Sequence, residues 1–287
     1  MITSKRPDKK GVSAVVTFIL LTSVALIFLG NWLIVAVPNW GIEDEVRHTK
    51  QVENQFVGIR ASAKSLIYAD NTQFVIPNSI TLGTNGAAWK GVARANGVME
   101  FDPARSSVRL NDTVPNTLSA TRGNLVYSSD NQYYNDQSIA YESGAIIRDQ
   151  DGQNVMIAPP EFSAEIAETE ISLKMVFISL TGDTDGLSGN IDIVVYTRLQ
   201  TSEYNWYNWT NTPKDIIIEI HTEYPGAWYT YYQTEMMKNG FTEVVSPAVP
   251  TNDGEFSISS TSDTCTLSVS NVDYFETTVA AVEIDFN

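Results

Sequence analysis

The sequence is poor in cysteine, in histidine and in positive charge. One of its 287 residues is cysteine, Cys265, so no internal disulfide can form. Cys265 lies in the alternating stretch TCTLSV, where an inert buried thiol is expected and a reactive one is the alternative. The only histidines are His48 and His221, and neither has a sequence-local partner at metal-ligand spacing. A G-x-S-x-G elbow, an H-E-x-x-H pair and a phosphate-binding glycine loop are all missing. Triads built from distant serines stay open, but nothing points to one. The chain therefore reads as a non-enzyme with no metal and no cofactor. There is also no repeat of fixed period.

Basic residues number 18 against 34 acidic ones. Residues 1–11 hold four of the bases (Lys5, Arg6, Lys9, Lys10) and one acid (Asp8), which leaves 14 against 33 and a net charge of −19 for the remainder. Such a surface repels nucleic acid, so no nucleic-acid partner is expected. Hydrophobic residues at 43% and charged ones at 18% are an ordinary globular balance, which excludes wholesale disorder.

What the chain does have is a long apolar run. From Val12 to Val37 the polar residues are Ser13, Thr17, Thr22, Ser23 and Asn31, and none is charged. A helix crossing a bilayer needs about 20 such residues, whereas a cleaved secretory core has about 7–15 and ends in a small-residue site. Here Pro38 and the acids Glu43 to Glu45 follow. The run is a membrane segment, and four bases before it predict a cytoplasmic N-terminus with the bulk of the chain outside.

The junction Lys9-Lys10-Gly11-Val12 carries a resemblance. A basic pair followed by GVSAVV, Gly11 to Val16, is similar to the class III leader of archaeal type IV pilin-like proteins, with Ala14 where many have proline. The resemblance implies that a prepilin peptidase cuts after Gly11 and that the helix then assembles with like subunits. Removing the charged leader would let the helix leave the bilayer sideways. Bacterial members carry a glutamate five residues into the mature helix, and Val16 stands there instead. A permanent signal anchor is the alternative.

Pro38 and Gly41 predict a break or kink. Beyond it Ile42, Val46, Thr49, Val52, Phe56, Ile59, Ala63 and Leu66 recur at helical spacing, so 42–69 is an amphipathic helix with one stripe to bury. From Asp70 onward short alternating runs predict strands. QFVIP, SITLG, GVMEFD, SSVRL and NLVYS come first, then strands turning at Ser143-Gly144 and Asp151-Gly152. ISLKMVFISL and NIDIVVYTRLQ predict a hairpin across TGDTDGLSG, and DIIIEIHTEY is a strand. PGAWYTYYQTEMMKNG is a helix with Pro225 in its first turn and Gly240 as its stop, and three strands end the chain.

The organisation is thus a basic leader (1–11), a transmembrane or assembly helix (12–37), an amphipathic helix (42–69) and a β-rich extracellular domain (70–287), with a division into two sub-sheets near residue 160 as one option. The fold class is α+β: a long N-terminal helix, then a mainly antiparallel, sandwich-like domain with one short extra helix. PNWGIEDEVRHTKQVENQF, YESGAII and YPGAW also resemble a family of archaeal surface proteins of this layout, frequent in methanogens. That resemblance implies location and architecture and carries no activity.

Several side-chain groups could bind something. Asp183, Asp185 and Asn190, in the acidic loop 181–190, put oxygens at partial calcium-loop spacing, with a solvated loop as the alternative. Glu161, Glu165, Glu168 and Glu170 read as a solvated edge. Tyr204, Trp206, Tyr207 and Trp209, with Trp228 and Tyr229, are what a glycan platform uses and equally what a core or subunit interface uses. Asn111 and Asn208 head N-x-T sequons. An anchored adhesin or glycan-binding module using the aromatics is the second functional reading beside the pilin-like one.

Overall fold

The computed structural model describes residues 9–86, 92–110, 121–167, 170–245 and 250–286. One helix, α1 (Lys9–Ala69), carries both the apolar run and the amphipathic stripe. The expected break does not occur: α1 runs straight through Pro38 and Gly41. Proline removes one helical hydrogen bond without forbidding the helix, and the turns that follow are tied to the β domain. Thr49, Val52, Phe56, Ile59, Ala63 and Leu66 are buried as the spacing predicts, but Ile42 is exposed and Val46 only partly covered, so the stripe packs from Thr49 onward. Full burial of each large one stabilises by about 1.5–3 kcal/mol.

The strands are β1 (Val75–Thr81), β2 (Asn96–Leu110), β3 (Thr121–Asp130), β4 (Ser138–Glu142), β5 (Ala145–Gln150), β6 (Gln153–Ala158) and β7 (Phe162–Ala167). They continue as β8 (Glu170–Thr181), β9 (Asp185–Gly189), β10 (Asp192–Asn208) and β11 (Lys214–His221). After the helix α2 (Pro225–Lys238) come β12 (Thr242–Glu243), β13 (Glu255–Ser260), β14 (Thr264–Val272) and β15 (Tyr274–Phe286). The turns β4–β5 and β5–β6 have positive φ at both central residues, Ser143-Gly144 and Asp151-Gly152, as two-residue hairpins require. QFVIP and SITLG merge into β1 through Pro77, which an edge strand tolerates. GVMEFD and SSVRL merge into β2 across an irregularity between Asp102 and Ser107.

Two sheets form. One is five-stranded, in the order β1-β10-β15-β8-β7, and the other runs β12-β13-β14-β11-β2-β3-β4-β5-β6 with β9 added beside β2. Pairing is antiparallel except for β15 with β8 and β12 with β13. This corrects two expectations. The β8–β10 hairpin is absent, because the C-terminal strand β15 lies between them and the intervening loop sends β9 to the other sheet. Nor does the chain divide near residue 160, since β1 joins the later strands and β11–β14 return to the sheet of the earlier ones.

Two cores lie on opposite faces. Leu125, Tyr127, Ile139, Tyr141, Ile146, Val176 and Ile178 share one with α1. Val126, Ala140, Ile147, Met175 and Phe177, on alternate positions of the same strands, share the other with α2.

Candidate functional site

The first candidate is the free half of α1. From Ala14 to Val35 every residue except Gly30 is exposed, including Phe18, Ile27, Phe28 and Ile34. A helix apolar all round must bury that surface in lipid or against other helices. By length and composition it is long enough to cross a membrane.

Its junction with the β domain is tightly built. The buried Glu45 carboxylate accepts from the backbone N–H groups of Gln132 (2.8 Å), Tyr133 (2.9 Å) and Tyr134 (2.7 Å). Tyr133 lies so close over Gly41 that a Cβ there would come within 2.2 Å of its ring. Gly41 therefore serves close approach rather than a helix break. Farther along, Arg60 donates to the carbonyls of Gly144 (2.8 Å) and Pro159, and Arg148 pairs with Glu53 at 2.7 Å. Lys64 and Tyr68 both bond Glu161; burial alone would raise that carboxyl, but these two partners hold it below its ordinary value. His48 is buried with Nε2 donating to the Thr81 carbonyl at 2.9 Å, and burial holds its pKa below the ordinary value. None of these contacts beyond the apolar stripe was legible in the sequence, because each partner lies more than 30 residues away along the chain.

The aromatic residues separate into different environments. Trp228 is wholly buried on the inner face of α2, and Tyr229, Tyr207 and Trp209 are half-buried against the same core. Tyr207, Trp209 and Phe275 stack with centroids 5.4–6.3 Å apart. Tyr204 and Trp206, on the opposite face of β10, are 60% and 56% exposed. Trp206 lies near-parallel to Tyr274, 6.2 Å away and inclined by 21°. Beside them runs the ion pair Lys174–Glu276. The same sheet face, one step farther along β8 and β15, is covered by α1 at Val176, Ile178, Ala280 and Val282. The exposed aromatics are thus the uncovered continuation of that face past the C-terminal end of α1. Asn208 is exposed on it, directly opposite Tyr274. Tyr274 had no signal in the local sequence.

A buried carboxyl joins the two short motifs. Glu142 Oε1, from YESGAII, accepts from Trp228 Nε1, from YPGAW, and from Thr222 Oγ1, both at 2.6 Å. Burial raises its pKa to about 7, against these two donors. Its role is internal, since it is 1% exposed and no substrate can reach it.

Other positions are plain. Cys265 is buried and its thiol is pushed up to about 12 by burial. A thiol reagent is expected to leave it unmodified in the native protein and to label it once denaturant is added; native labelling would contradict its seat in β14. His221 Nδ1 lies 3.1 Å from Thr264 Oγ1 at the surface. Asp185 Oδ1 accepts from the Gly186 N–H, and the Asn190 side chain donates to the Thr84 carbonyl. Among the described residues no group of three or more His, Cys, Asp and Glu side chains is placed to hold a metal ion. Glu165 is exposed, as the solvated-edge reading expects, but Glu161 is partly buried and tied to α1 by Lys64 and Tyr68 instead. Asn111, Glu168 and the side chains at Lys9–Val12 lie outside the described residues.

No curated protein and no solved structure matches the chain. A family model does, over residues 88–276, about two thirds of the length and most of the β domain. With a free apolar helix fused to a two-sheet domain, and Glu142 bonded to Trp228 inside the matched region, the chain belongs to the family of unknown function DUF7289.

Proposed function

We propose that this protein is a non-enzymatic, membrane-anchored surface subunit of the pilin-like kind. Its N-terminus is cytoplasmic, its β domain is extracellular, and a prepilin peptidase cuts between Gly11 and Val12. The cleaved helix then moves from the bilayer into contact with like subunits. The observation that supports this most is that the bare apolar half and the core-packed half are one helix. A flexible tether would serve a simple anchor. A rigid rod fixed by the Glu45 and Gly41 contacts instead sets the β domain at one angle to its neighbours, as regular assembly needs.

Mass spectrometry of the N-terminus tests the reading. Protein from the producing cells is expected to begin at Val12, and a Gly11→Leu variant is expected to keep its leader. An intact peptide spanning Lys10-Gly11-Val12 in the wild type would leave a fixed anchor instead. The adhesin reading has less behind it. A receptor site is concave and gathers its aromatics, whereas four of the six sit against the core and Tyr204 and Trp206 lie on an open strand face.

A further inference from the structure

We propose that Asn208 carries an N-linked saccharide whose first sugars lie on the shelf formed by Trp206 and Tyr274. The inference rests on the extracellular reading of the β domain. Asn208-Trp209-Thr210 is a sequon. The Thr210 hydroxyl and backbone N–H both donate to Asn208 Oδ1, at 2.9 and 3.1 Å. The carbonyl oxygen is thereby held inward, and Nδ2 has no hydrogen-bond partner among the described residues. Asn208 is exposed and ends its strand, so an enzyme can reach it.

The surroundings supply the second observation. Past Arg198, β10 has no strand partner among the described residues on the side where β1 pairs it earlier, so its last ten residues form an open edge. That edge displays Tyr204 and Trp206 to solvent, a combination that invites association with other chains unless something covers it. Trp206 and Tyr274 present near-parallel rings, and Asn208 sits in register with Tyr274. Flat aromatic faces stack on the C–H faces of pyranose rings. A sugar on Nδ2 would therefore shield the edge while packing on the rings.

The donor is a sugar carried on a polyisoprenyl phosphate or pyrophosphate outside the membrane, used by a glycosyltransferase. Nδ2 attacks the anomeric carbon, the N–C1 bond forms, and the C1–O bond to phosphate breaks. The lipid phosphate leaves with the electron pair, and one amide proton passes to base.

Peptide mapping of protein from the producing cells tests the attachment, alongside protease treatment of intact cells. The Asn208 peptide is expected to carry a saccharide mass that is absent in Asn208→Gln. A bare Asn208 in protein whose β domain is cut on intact cells would overturn the proposal and leave the surface location standing. A domain protected on intact cells would overturn the location as well. The shelf is tested by thermal midpoints of glycosylated and Asn208→Gln protein, each with and without Trp206→Ala. The saccharide is expected to raise the midpoint by about 2–4 °C only when Trp206 is present. An equal rise in both backgrounds would overturn the shelf.

Discussion

Replacing Trp228 with alanine is expected to cost about 3–5 kcal/mol, the range for emptying a fully buried large aromatic site. Typical domains have about 5–15 kcal/mol in total, so the variant should be largely unfolded or protease-sensitive at 37 °C. Two losses combine. The indole, 1% exposed, leaves a cavity beside Tyr232, on which it stacks at 5.7 Å. Its Nε1 also stops donating to Glu142, which then keeps Thr222 as its one close donor inside the core. Urea unfolding followed by fluorescence, on full-length protein in mild detergent, measures the change. Trp206→Ala, in protein that also carries Asn208→Gln, is the internal control: its side chain is more than half exposed, and its cost there should stay within about 0.5 kcal/mol. Equal effects of the two substitutions would contradict the burial described above.

The second large effect concerns Glu142. Its folded pKa is raised to about 7 from an ordinary value of 4.5, with burial as the main cause. A raised group binds more protons in the native state, so its stabilising share is complete below pH 4.5 and disappears as pH rises through 7. Above pH 7 the buried charge costs on the order of 3 kcal/mol. Glu142→Gln should therefore be more stable than wild type at pH 8 and close to it at pH 4.5. Asn124 explains why the amide fits. Its Nδ2 lies 3.4 Å from Glu142 Oε2, while its Oδ1 has no partner. Turned over, that amide accepts from a protonated Oε2–H or from the glutamine N–H. His48 acts in the opposite direction, since its pKa is lowered by burial and its share is lost as pH falls below 6.5. Comparing Glu142→Gln with wild type at each pH separates the two. A glutamine variant less stable at pH 8 would show that the carboxylate is the form the fold prefers.

Local patterns were legible where one element decides them. The stripe from Val52 to Leu66 named the buried face of α1, because a helix brings every third or fourth residue to one side. Ser143-Gly144 and Asp151-Gly152 named two turns, since few residues accept positive φ. Pro225 and Gly240 bounded α2 within two residues. The strands also emerged from their alternation, though Pro77 and the irregularity in β2 hid that four runs make two strands.

Pairing and sites were less legible. Proximity along the chain argued for β8 with β10, yet β15 competes for both and wins on matched burial. Its Ala280 and Val282 face the α1 core, while Phe275 faces the other. The same limit applies to the tryptophans. YNWYNW and PGAW look alike as composition, but only the partner sheet decides that Trp228 is sealed and Trp206 is not.

By itself the sequence determined the apolar helix, its amphipathic continuation, the strand-rich domain and the acidic surface, because composition and period are properties of neighbouring residues. The tertiary structure alone decided that the helix is unbroken at Pro38, that Gly41 seats Tyr133, that Glu142 meets Trp228, and that Asn208 shares a face with Trp206 and Tyr274. The last three join residues far apart in the chain, and such contacts form only when sheets and helices close on one another.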